Sequence, residues 1–149
     1  MQPANILVAD DDAVARDLLV EALKKEGYAV EAFASGEEII ARGRRGQVDL
    51  VLTDIRMGAV DGLTVLREFK RMSPDTAVVV LTSFGSLEGA IQAIKQGAYD
   101  YLAKPFKKED ITLVVKRSLD HCRLVRENTR IREELKTKDE WSPLVGSSP

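Results

Sequence analysis

The 149-residue chain is 44% hydrophobic and 31% charged, enough to bury an ordinary single core and leave a short appendage. Lys+Arg 22 against Asp+Glu 24 gives a net charge of -2, so there is no basic field and no direct nucleic-acid binding by this segment is expected. No signal-peptide pattern opens the chain, no apolar run approaches the roughly 20 residues of a membrane span, and the single Cys122 cannot form an internal disulfide; a cytoplasmic chain without membrane contact is expected.

In chain order, Ile6-Leu7-Val8-Ala9 is a short apolar strand ending in Asp10-Asp11-Asp12. Val14, Leu18, Leu19, Ala22 and Leu23 then recur at helical spacing up to a stop at Gly27, with Asp12 more simply a helix cap than a ligand. Tyr28 to Phe33 alternates as a strand, and Ser35 can cap a helix ending among Gly43, Arg44, Arg45 and Gly46. Leu50 to Thr53 is an apolar strand that runs into Asp54 and is followed by the Asp61-Gly62 turn signal. On this stretch alone Asp54 is either a reactive carboxylate or the cap of a turn. A helix from Leu63 to Met72, with Leu63, Leu66 and Phe69 or Lys70 on one face, is broken by Ser73-Pro74-Asp75. Ala77 to Thr82 is an apolar strand ending in a hydroxyl, Ser86 can cap a helix to Gln96, and Tyr99 to Ala103 is a last strand before Lys104-Pro105.

Five strands alternating with helices predict a parallel α/β sheet with right-handed crossovers and helices on both faces. The carboxyl ends of parallel strands share one edge, which would gather Asp10, Asp11, Asp12, Asp54, Thr82 and Lys104. Clustered carboxylates repel unless a cation or protons intervene, and a hard oxygen site suits Mg²⁺. Thr82 and Lys104 add donors for the oxygens of a phosphoryl group carried by Asp54. His121 has no second His or Cys at ligand spacing, and Gly85, Gly89 and Gly97 form no phosphate loop.

Val8-Ala9-Asp10-Asp11-Asp12, Leu52-Thr53-Asp54-Ile55-Arg56-Met57, Val80-Leu81-Thr82-Ser83 and Tyr101-Leu102-Ala103-Lys104-Pro105-Phe106 together resemble the receiver domain of two-component response regulators, over residues 4–120. The resemblance implies a flavodoxin-like (CheY-like) doubly wound sheet of order 2-1-3-4-5. It also implies phosphorylation of Asp54 by a sensor histidine kinase. Its implied metal site takes Asp11 directly, Asp10 through water, Asp54 and the Arg56 backbone carbonyl. Thr82 and Tyr101 match its switch pair, Lys104 its phosphate-binding lysine, and Pro105 its cis proline. Such a domain is a signalling phosphoacceptor and not an enzyme in its own right. Where the family usually reads Met-Pro-Gly, this chain has Met57-Gly58-Ala59, which predicts a less rigid loop because glycine leaves φ free.

The helical pattern that starts at Lys107 runs on to about residue 138, with Leu124, Asn128, Ile131 and Leu135 stepping by 4, 3 and 4. That spacing predicts a coiled-coil linker over residues 121–138 and a homodimer, with Asn128 fixing register; a charged, solvated helix is the alternative. Residues 139–149, from Trp141-Ser142-Pro143 onward, resemble the opening of the AAA+ ATPase domain of NtrC-type activators of the alternative sigma factor. That resemblance implies a longer chain carrying ATPase and DNA-binding domains. A phosphatase of the haloacid-dehalogenase type would need a second aspartate where Arg56 stands, and an inert dimerisation pseudo-receiver would not need the acids, Thr82 and Lys104.

Overall fold

The computed structural model describes residues 3–83 and 87–141, with side chains through residue 135. Five parallel strands, β1 (Asn5–Ala9), β2 (Ala29–Phe33), β3 (Leu50–Asp54), β4 (Ala77–Thr82) and β5 (Asp100–Ala103), lie in the order β2-β1-β3-β4-β5. Between and after them run α1 (Ala13–Lys25), α2 (Gly36–Gly43), α3 (Gly62–Met72), α4 (Leu87–Lys95) and α5 (Lys108–Trp141). Ser86, expected to cap α4, and the tail from Ser142 onward lie outside the described residues.

Alternation along the central strands builds two cores. Ile6, Val8, Leu50, Leu52, Val79 and Leu81 face α1 and α5, while Leu7, Val51, Val78 and Val80 face α2, α3 and α4. β1, β3 and β4 are therefore buried on both sides, which is why they read as continuous apolar runs. The edge strand β2 differs: none of its residues is fully buried, so its sequence alternates. On α3 the choice between Phe69 and Lys70 resolves to Phe69, which is fully buried.

Caps fix the helix starts. Asp12 accepts the Val14 N–H at 3.0 Å, Ser35 accepts the Glu38 N–H at 3.3 Å, and Asp61 accepts the Thr64 N–H at 2.9 Å. Val14 departs from the helical core pattern, being 78% exposed, because the first turn of α1 lies at the rim beyond the end of β1, where Asp11, Asp12 and Ala13 are also exposed. Among the described residues, no helix is long and apolar enough to cross a membrane.

The last helix is 34 residues long, about 50 Å at 1.5 Å per residue, far more than a sheet of strands this short can cover. Its packing ends soon after Cys122, which is buried in the core. Leu124, Asn128, Ile131 and Leu135, expected to form a seam, are all exposed. The stretch expected as linker is attached to the domain through Arg126, whose side chain bonds to residues ahead of β3 and β4.

Candidate functional site

Parallel pairing brings the chemistry to one edge. Thr53 pairs with Ala9 and with Val80, Asp54 with Leu81, and Thr82 with Ala103, so Asp10, Asp54, Thr82 and Lys104 all fall at or just past the carboxyl ends of four adjacent strands. Asp10 is wholly buried and Asp54 and Thr82 nearly so, while Asp11 is exposed.

Lys104 reaches across this edge. Its Nζ donates to Asp54 Oδ2 at 2.7 Å and lies 2.8 Å from Asp10 Oδ2, an ion pair without the alignment of a directed hydrogen bond. The other Asp54 oxygen, Oδ1, accepts the Arg56 N–H at 2.9 Å. Both oxygens of the candidate nucleophile are thus held, so the carboxylate is oriented before any substrate arrives. Asp10 Oδ1 accepts the Asp12 N–H at 2.9 Å, leaving Oδ2 as a buried oxygen that faces the Lys104 ammonium and has no aligned hydrogen bond among the described residues.

One carboxylate oxygen each from Asp10, Asp11 and Asp54 lie within 4.8 Å of one another. Hard oxygens at this spacing, from three carboxylates of which two are buried, fit a divalent cation of the Mg²⁺ type. The protonation balance agrees. Burial, and secondarily repulsion from Asp54, push the Asp10 carboxyl above the usual aspartate range against the pull of Lys104 and the Asp12 N–H. Burial works against the Lys104 ammonium, yet its contacts with Asp10 and Asp54 outweigh it and hold the pKa above lysine's ordinary value.

The surrounding loops are fitted to these groups. The Lys104-Pro105 peptide bond is cis, and the Lys104 N–H donates to the Thr82 carbonyl at 2.7 Å, locking β5's exit to β4's end. Gly58, standing where the family pattern has proline, adopts φ +43°, a value proline's ring forbids. Gly62 N–H donates to the Ile55 carbonyl at 2.8 Å, closing the loop after Asp54. Tyr101 on β5 is 41% exposed and so is turned at least partly to solvent. His121 stacks on Tyr99, ring centroids 4.6 Å apart.

Sequence reasoning passed over Arg16. From α1 its Nη1 donates to the Asp10 backbone carbonyl at 2.7 Å, pinning the acidic turn from the helix that follows it. The available signal was its place one turn into the helix that Asp12 caps.

A doubly wound α/β domain with paired acids, a strand-end aspartate and a lysine on one edge is the receiver class of fold. Residues 6–116 match the response regulator receiver domain family, and the chain belongs to it. It is 34% identical over 145 residues to the C4-dicarboxylate transport transcriptional regulatory protein DctD of Rhizobium meliloti (strain 1021), covering 97% of this chain and 32% of that protein. It is 33% identical to the DNA-binding transcriptional regulator NtrC of Salmonella typhimurium (strain LT2), over 100% of this chain and 31% of that one. The chain thus spans about a third of the length of these curated relatives. Among solved structures, NtrX from Brucella abortus with ADP superposes with a TM-score of 0.83 at 33% identity, over 93% of this chain and 34% of NtrX. A response regulator receiver domain protein from Clostridium thermocellum gives 0.78 at 32% identity, over 82% of this chain and 98% of that one.

Proposed function

We propose that this domain accepts a phosphoryl group on Asp54 from the phosphohistidine of a sensor kinase and passes the resulting change to its C-terminal helix. The observation that carries the reading is the lysine set between two acids: Lys104 Nζ at 2.7 Å from Asp54 and 2.8 Å from Asp10, beside the three-carboxylate cluster. Asp10, Asp11, Asp54 and the Arg56 backbone carbonyl would hold Mg²⁺, which supplies positive charge to the phosphoryl oxygens when bound.

An Asp54 carboxylate oxygen attacks phosphorus; the O–P bond forms as the N–P bond of the phosphohistidine breaks, and the departing imidazole takes a proton. Lys104 then exchanges its contact with the free carboxylate for one with the phosphoryl oxygens. The Thr82 hydroxyl donates to the same group, and Tyr101 moves into the space that Thr82 leaves. The added charge, roughly -1.5 to -2, biases this pair between two arrangements. The domain acts as a cytoplasmic signalling phosphoacceptor, and the exposed seam at Leu124, Asn128, Ile131 and Leu135 forms a homodimer. In a full-length chain like those of the DctD and NtrC relatives, phosphorylation would control a sigma-54-type AAA+ ATPase and its DNA-binding domain.

Incubation with Mg²⁺ and acetyl phosphate, followed by intact-mass measurement, tests the acceptor. Wild type is expected to gain one phosphoryl group and Asp54→Asn none; equal labelling of the two would refute the assignment. Thr82→Ala is expected to label normally while losing most of the phosphorylation-dependent change in Tyr101 environment, read by side-chain NMR.

A further inference from the structure

A single guanidinium fastens the C-terminal helix to the pole of the sheet opposite Asp54. Arg126 Nε donates to Asp75 Oδ2 at 2.7 Å, Nη2 donates to the Val48 carbonyl at 2.9 Å, and Nη1 pairs with Asp49. The carboxylate of Asp49 also accepts the Asn5 N–H at 2.7 Å, and the Val48 carbonyl also accepts the Thr76 hydroxyl at 2.7 Å. One side chain therefore ties α5 to the starts of β1, β3 and β4.

Two of those strands are the ones that matter at the far pole. β3 begins one residue after Asp49 and ends in Asp54, and β4 begins two residues after Asp75 and ends in Thr82. Both are fully buried and paired to each other along their length, so each behaves as a stiff strut. Cys122 is the last fully buried residue of α5; Val125 is half-buried, Leu124 is 61% exposed and every side chain from Glu127 to Leu135 is exposed. Arg126 ties α5 to the sheet beyond the last core residue of that helix, at the point where its side chains turn to solvent.

We propose that Arg126 is a positioning residue for signal output: it sets the direction of the seam-bearing half of α5 against β3 and β4, and so couples the receiver to the dimer. Without it the helix would be hinged at Cys122, and a change at the phosphorylation edge would leave the seam unmoved. Guanidinium geometry suits the task, since a planar fork can serve two carboxylates and a carbonyl at once where an ammonium is a compact point charge. Burial opposes the Arg126 charge, but the bonds to Asp49 and Asp75 more than offset this and push its pKa further up. Burial likewise would raise Asp75, yet the Arg126 hydrogen bond and charge, with the Ser73 hydroxyl, hold it below the usual range. Arg126 and Asp75 accordingly stay ionised at neutral pH.

The proposal rests on the phosphoacceptor reading above, and one experiment separates the two. The 149-residue chain and its Arg126→Met and Asp75→Asn variants are treated with Mg²⁺ and beryllofluoride, occupancy at Asp54 is read by ¹⁹F NMR, and the dimer dissociation constant is measured by sedimentation with and without the mimic. In wild type the mimic is expected to change that constant, in either direction, by roughly ten-fold. Arg126→Met should take up the mimic equally and show less than about a two-fold change, with Asp75→Asn between the two. Equal responses in wild type and both variants would overturn the clamp alone. Uptake without any response in wild type would overturn the coupling to the dimer while leaving Asp54 as the acceptor, and no uptake at Asp54 would overturn both readings. Should Arg126→Met fail to fold, Asp75→Asn, which takes the charge from one of its three partners, is expected to respond less than wild type, and a response equal to wild type would overturn the clamp.

Discussion

Replacing Lys104 with methionine is expected to lower the stability of the metal-free domain by about 3 kcal/mol, the lower end of what breaking a buried ion pair costs. The change leaves Asp10, which is fully buried, and Asp54 facing each other without a counter-ion. The cost stays at the lower end because Asp10, already pushed up by burial, can take a proton. The sign with pH follows. A carboxyl whose folded pKa lies above its unfolded value destabilises as pH rises through that interval, so the deficit grows toward neutrality and shrinks in acid. Adding Mg²⁺ should recover part of the loss, since the cation binds the same oxygens in the folded state only. Urea denaturation of wild type and variant, with and without Mg²⁺ at two pH values, checks each part. A deficit independent of both pH and Mg²⁺ would mean that Lys104 contributes packing and not charge.

That lysine was legible in the sequence for a physical reason. β1, β3 and β4 are apolar runs buried on both faces, and in a parallel sheet their carboxyl ends must share one edge with those of the two outer strands, so Lys104 after β5 joins them. Ala77–Thr82 was readable to the residue, and the alternation of strands and helices gave the parallel sheet, while its order 2-1-3-4-5 came only with the resemblance to receiver domains. β2 was legible by a different signal, the alternation that edge exposure produces, whereas Val14 misled because its helical phase says nothing about where the sheet stops.

Arg126 was not legible at all. Its partners lie 51, 77 and 78 residues away, and in the sequence it is one of several arginines on a charged helix, indistinguishable from Arg123 or Arg130. Only the register between α5 and the starts of β3 and β4 singles it out. Arg16 is a milder case, since its acceptor is a backbone carbonyl and no side-chain pattern advertises one.

Gly62→Ala is the second large effect expected. A Cβ there would stand 2.1 Å from the Asp54 carbonyl oxygen and 2.7 Å from Ile55 Cα, both backbone atoms of the segment that carries the acceptor. Backbone cannot swing aside as a side chain can, so α3 or the end of β3 must shift. A loss of about 3 kcal/mol is expected, at the top of the usual overpacking range. Displacement of Asp54 should also disturb the 2.7 Å contact with Lys104, and labelling by acetyl phosphate should slow even under conditions where the variant is fully folded. Thermal unfolding and the labelling rate measured on one preparation test both halves. Wild-type stability with a wild-type rate would show that the close approach at Gly62 is relieved at no cost.

The account as a whole depends on Asp54, Asp10, Asp11, Thr82 and Lys104 forming one phosphoryl pocket. A crystal structure with Mg²⁺ and beryllofluoride examines this most directly. The account predicts the fluoride group bonded to Asp54, with Lys104 Nζ and the Thr82 hydroxyl on its fluorines and a cation held among Asp10, Asp11 and Asp54. A cation bound elsewhere, or Lys104 still paired with Asp10 and Asp54 and no mimic on Asp54, would contradict it.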